Sequence, residues 1–188
     1  MKKNLFNVEK NSTKEFWLSH IVILISTVFA VYLAAKAGLD TAIEFEEIQS
    51  DRNSYYLQKS LLDEFKDNTD QVIKMIKICD EQRYSIYFGK KNKSNLDLFV
   101  WEAMKDSSDT FEIPSTILTG IRRYYKSANP TLYAIENMSY GRMWNGSYFR
   151  KLPPLKKETK EIRTKLIPIM EAEINRLKER LESKGVDF

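Results

Sequence analysis

Three carboxylates, Glu64, Asp67 and Asp70, recur at three-residue intervals, the spacing that brings acids together along one side of a helix. A di-iron or zinc site on helices adds Glu-x-x-His or paired histidines. The chain has one histidine, His20, and one cysteine, Cys79. The trio therefore reads as a solvated helix face, and no metal residue is assigned. Cys79 has no partner for an intramolecular disulfide and no flanking basic cluster to lower its pKa, so it reads as a small core residue. His20 falls inside an uncharged stretch and reads as a neutral imidazole bonded to a nearby carbonyl or water.

No P-loop, dinucleotide glycine pattern, Gly-x-Ser-x-Gly or Cys-His nucleophile pair is present. No catalytic residue and no cofactor is assigned, and the chain is not expected to be an enzyme. Arg122-Arg123-Tyr124-Tyr125-Lys126 mixes basic and aromatic residues, which suits lipid head groups or an acidic partner on its solvated half and core packing on the other. Tyr124, Tyr125, Tyr140 and Trp144 are the candidates for lining a ligand pocket between central helices. Asn92, Asn137 and Asn145 open sequons, which arise easily by chance.

The element that positions all of these begins with the 20 residues from Phe16 to Ala35, which carry no formal charge. At ~1.5 Å per helical residue the run spans ~30 Å, the hydrocarbon core of a bilayer. Four lysines (Lys2, Lys3, Lys10, Lys14) precede it, while Asp40, Glu44, Glu46 and Glu47 follow. The bias of basic residues toward the cytoplasm orients the N-terminus inward and the rest of the chain outward. The expected division is a cytoplasmic segment over residues 1–15, a transmembrane anchor over 16–38 and an extracytoplasmic helical domain over 39–188. Ala35-Lys36-Ala37 also has the small-x-small form of a signal-peptide cleavage site, so a secreted protein released near Ala37 is the rival expectation. The apolar run is longer than the ~7–15 residues of a signal h-region, which favours an uncleaved anchor.

Within the anchor Ser26, Ala30, Ala34, Gly38 and Ala42 fall four apart and form one ridge, a pattern that lets a second helix approach closely. Lipid bilayer, a second copy of the chain or subunits of a membrane complex are the expected partners. An extracytoplasmic location argues against nucleic acid, although the net charge of +4 is basic.

Beyond Gly38, Leu57, Leu61, Phe65, Val72, Ile76 and Cys79 recur at three or four residues with one gap of seven, the stripe of a long amphipathic helix. A short helix capped by Ser94 and Asp97 is expected through Trp101 and Met104, and further helices over Pro114–Lys126 and after Asn129-Pro130. Gly141, Asn145-Gly146 and Pro153-Pro154 read as irregular chain. From Leu155 to Leu181 a near-heptad stripe predicts a second long helix, kinked at Pro168 and stopped at Gly185. Two such stripes pack most economically against each other, antiparallel, although the second can also pair with its copy in another chain. The fold class is all-α, with a single transmembrane helix continuous with a long helix and an extracytoplasmic helical bundle closed by short central helices.

The basic start, the single anchor, the helix containing LLDEFKDN (Leu61–Asn68) and the Phe-x-x-Pro-Ser-Thr element at Phe111–Thr116 together resemble small uncharacterised single-pass bacterial inner-membrane proteins. The resemblance implies this architecture and a place in the inner membrane, and no activity. Two functions follow as expectations. One is a scaffold or accessory subunit that assembles through anchor and bundle. The other is an extracytoplasmic sensor or ligand-binding module, which would relay through a partner because only 15 residues precede the anchor.

Overall fold

The computed structural model describes residues 5–81, 96–105, 107–136 and 147–187, and every regular element among them is helical. In chain order these are α1 (Leu5–Glu81), α2 (Phe99–Met104), a 3₁₀ turn (Ser108–Glu112), α3 (Ser115–Glu136), α4 (Ser147–Glu161), a π-helical turn (Ile162–Leu166) and α5 (Ile167–Ser183). Two compact units divide the chain, Met1–Glu47 and Ile48–Phe188, and α1 contributes to both. Gly89, Ser94, Met138, Tyr140, Gly141, Trp144 and the three sequons lie outside the described residues.

In the first unit every side chain from Glu15 to Glu47 is exposed. Phe16, Phe29 and Phe45 show 60%, 61% and 68% of their surface, and apolar residues cover all faces of the helix rather than one stripe. A helix apolar all round needs an apolar environment that the chain itself does not supply here. Among the described residues this helix alone is long and apolar enough to cross a membrane. Four of its polar side chains bond its own backbone. Ser26 and Thr27 hydroxyls donate to the Ile23 carbonyl at 2.9 and 2.8 Å, and Thr41 donates to Ala37 at 2.9 Å. His20 Nδ1 lies 2.9 Å from the Phe16 carbonyl, with its ring 4.1 Å from that of Phe16.

The second unit is built on one apolar core to which α1 to α5 all contribute. The α1 stripe enters it as expected, with Leu61, Phe65, Val72, Ile76 and Cys79 buried and Leu57 half-buried. Phe65 is its centre, meeting the Tyr124 and Tyr125 rings edge-on at 5.5 and 5.7 Å. Edge-to-face pairs of this kind add roughly 0.5–1.5 kcal/mol each beyond area burial.

Ion pairs between α1 and the C-terminal helices define their direction. Asp51 meets Arg180, Lys66 meets Glu171 at 2.6 Å, Asp70 meets Arg163 at 3.2 Å, and Asp80 meets Lys156 at 2.7 Å. Numbers rise on one side as they fall on the other, so the two run antiparallel. Leu155, Met170, Ile174, Leu177 and Leu181 are buried inside this unit, so the stripe that can pair with another chain is occupied within its own.

The prolines depart from expectation. Asn129-Pro130 does not begin a new helix, because α3 runs through it to Glu136. An interior proline costs about 3 kcal/mol. Buried Leu132 and Ile135 beyond it contribute about 1.5–3 kcal/mol each, and Pro130 itself faces solvent, where water can take up the carbonyl it orphans. Pro153 and Pro154 likewise lie inside α4, which starts at Ser147 rather than Leu155 and buries Leu152 and Leu155. Pro168, expected to kink the long helix or end its first half, stands in the first turn of α5, and the π turn ahead of it widens the chain where a proline ring would crowd the preceding carbonyls.

Gly120 brings α3 against this π turn, since a Cβ there would sit 2.7 Å from Leu166 Cδ2. At the far end Gly185 adopts φ 80°. The Gly185 amide bonds the Glu182 carbonyl at 3.0 Å and the Val186 amide bonds Leu181 at 3.1 Å, a Schellman stop that demands glycine's freedom.

Candidate functional site

The short helix α2 has too few residues to hold itself, so its position depends on what receives its ends. Asp97 Oδ1 accepts the Phe99 amide at 3.1 Å from just outside the helix. Ser94, the other expected cap, lies outside the described residues, and a distant side chain caps the helix as well, for Glu64 of α1 accepts the Val100 and Trp101 amides at 2.5 and 3.1 Å. A carboxylate at a helix N-terminus satisfies orphan donors and faces the positive end of the peptide dipoles. Glu64 is therefore buried, unlike Asp63, Asp67 and Asp70, which stay on the solvated face. Burial raises its pKa above 4.5, the two backbone bonds oppose that, and Asp97 and Glu102 add to the rise.

One turn along α1, Asn68 pairs with both backbone groups of Asp97. Its Nδ2 donates to the Asp97 carbonyl at 2.5 Å and its Oδ1 accepts the Asp97 amide at 2.9 Å. The other Nδ2 hydrogen goes to the Tyr125 hydroxyl at 2.8 Å. Tyr125 in turn packs against Trp101 at 5.8 Å. Two side chains of α1 thus hold the segment Asp97–Trp101 against α3.

Trp101, the last residue of that segment, lines a surface cavity of ≈ 210 Å³. Trp101, Met104 and Lys105 line it from α2 and its C-cap, and Leu118, Thr119 and Arg122 line it from α3. Thr110 closes one end, fastened by its hydroxyl to the Met104 carbonyl. Met104 is buried, Trp101 and Leu118 are half-buried, and the two cations are exposed. Lys105 pairs with Glu102 at 3.6 Å. Arg122 has no ion-pair or hydrogen-bond partner among the described residues, and the same holds for exposed Lys126 one turn further on.

Tyr124 and Tyr125 do not line this cavity. Both are core residues with satisfied hydroxyls, and the remaining two ligand candidates, Tyr140 and Trp144, are outside the described residues. The Thr159 hydroxyl donates to the Leu155 carbonyl at 2.7 Å, which leaves it to accept from Tyr124 at 3.2 Å. Burial raises the Tyr124 pKa to about 12 and pushes Tyr125 higher still. Neither phenol is an acid or base at neutral pH.

The ridge Ser26, Ala30, Ala34, Gly38 and Ala42 lies on α1 with every member exposed, and a Cβ at Gly38 would meet nothing within 4 Å. Among the described residues no His, Cys, Asp and Glu side chains gather as a metal-ligand set. The cavity presents Met104, Trp101 and Leu118 as its apolar lining, with the exposed cations Lys105 and Arg122 beside them.

Polar residues in the core were the signal that sequence periodicity passed over. Asn68 stands in the seven-residue gap between Phe65 and Val72, three after one and four before the other. That is a core position filled by an amide. Comparison with protein-family models, with curated proteins and with solved structures finds no match to the chain.

Proposed function

We propose that the chain is a single-pass protein of the bacterial inner membrane, N-terminus in the cytoplasm, which serves as a non-enzymatic scaffold or accessory subunit. The helical bundle beyond the anchor lies outside the cytoplasm, and assembly runs through the anchor ridge and the bundle. What carries the reading is the set of apolar side chains from Phe16 to Phe45, exposed on every face of one helix whose Ser26, Thr27 and Thr41 hydroxyls are bonded to its own backbone. Such a surface is far larger than the few hundred Å² of apolar patch that a soluble monomer tolerates.

Alkaline extraction of cell membranes, followed by the mass of the extracted chain, tests it. The expected result is a chain retained in the membrane with residues 1–37 attached. A soluble chain beginning near Gly38 would establish the secreted reading instead. Cross-linking in membranes then compares the native ridge with Ala30→Leu/Ala34→Leu/Gly38→Leu. Loss of cross-linked species is expected, and equal monomer in both forms would remove the ridge from the proposal.

A further inference from the structure

We infer that the cavity between α2 and α3 receives a carboxylate-bearing peptide segment of a partner protein, with one large apolar side chain on the cavity floor and acidic neighbours on Arg122 and Lys126. This deepens the association reading above and rests on it. The first argument is size. At ≈ 210 Å³ the cavity is smaller than the ~300–1,000 Å³ of small-molecule sites, but it can take a single anchoring side chain of a larger partner. Met104 at its base is an adaptable floor, and Trp101 offers a rigid apolar wall held by Glu64 at its amide and by the Tyr125 ring at its side.

The second argument is charge. Arg122 and Lys126 fall four apart on α3, both exposed and both without a partner among the described residues. Glu102 is the carboxylate described at this rim, and its exposed pairing with Lys105 at 3.6 Å is of the kind that contributes little and exchanges readily. A guanidinium so placed suits a bidentate carboxylate.

The experiment selects binders from a displayed library of random peptides on the full chain in mild-detergent micelles. Enriched peptides should combine one aromatic or large aliphatic residue with flanking Asp or Glu. Their affinity should fall about tenfold on Arg122→Glu and on Thr119→Lys, which blocks the mouth, and hold on Lys74→Glu, an exposed charge change on α1. No enrichment, or equal losses for Lys74→Glu and Arg122→Glu, overturns the inference. Enriched peptides that lack acids and are displaced by short-chain phosphatidylglycerol would assign the face to lipid head groups and overturn it too. Membrane retention is measured separately, so failure of the anchor and failure of the pocket are seen in different assays.

Discussion

The side-chain amide of Asn68 donates to the hydroxyl of Tyr125 across 2.8 Å in the centre of the second unit, and the same amide fastens the backbone of Asp97. Asn68 is wholly buried and Tyr125 nearly so. A buried amide whose donors and acceptor are all engaged specifies one arrangement of its neighbours, because any shift leaves polar groups without partners.

Removing that amide should be costly. Asn68→Ala strands the Asp97 backbone groups and is expected to destabilise by about 3 kcal/mol, whereas Tyr125→Phe removes one bond and costs about 1 kcal/mol. Denaturant unfolding of both singles and the double should return a coupling of roughly 1 kcal/mol. Strict additivity would show that the two side chains do not communicate.

Glu64 supplies a pH dependence with a defined sign. Its folded-state pKa lies above 4.5, so the folded protein binds the proton more readily than the unfolded chain. The contribution to stability is fully present below pH 4.5 and is lost as pH rises through the folded value. Relative to Glu64→Gln, the native protein should therefore gain stability as pH is lowered from neutral toward 4.5. Parallel stability profiles for the two proteins across that window would contradict this.

The buried phenols act at the other end of the scale. Unfolding exposes tyrosines that ionise near pH 10, while Tyr124 in the core holds its proton to about 12 and Tyr125 beyond that. Their stabilising contribution is complete below pH 10 and declines as pH climbs through the folded values. Thermal melts of the native protein should fall steadily above pH 10, and Tyr124→Phe/Tyr125→Phe should flatten that fall.

The ion pairs along α1 should not be equal. Asp70 and Arg163 are both half-exposed, and Asp70→Asn is expected to change stability by no more than about 0.5 kcal/mol. Asp51 is 9% exposed at its side chain and faces Arg180 together with Lys184 at 3.6 Å, so Asp51→Asn should cost about 1–3 kcal/mol. Urea midpoints at low and high salt separate them, with the Asp51 effect surviving salt. Equal small effects at both sites would show that Asp51 is solvated in solution.

Much of the helical layout was legible in the residues. The stripe from Leu57 to Cys79, the stop at Gly185 and the special role of Pro168 follow from local rules, and each operates within a few residues of itself. Pro130 and the Pro153-Pro154 pair were legible only as breakers. Their penalty is local, but the burial of Leu132, Ile135, Leu152 and Leu155 that outweighs it depends on partners far along the chain.

The cavity was less legible for the same reason. Arg122 stood out as part of a basic and aromatic run, yet whether Tyr124 and Tyr125 line a pocket or fill the core is set by the direction in which α3 packs. By itself the sequence determined an uncharged 20-residue stretch, a helical chain and the absence of recognised catalytic motifs, since these depend on composition and period. Tertiary structure decided that Glu64 caps a helix 36 residues away, that Asn68 is a core residue, and that α2 and α3 enclose a cationic-rimmed cavity. These are long-range pairings of backbone and side chain, and a burial pattern that treats polar residues as outward-facing has no way to register them.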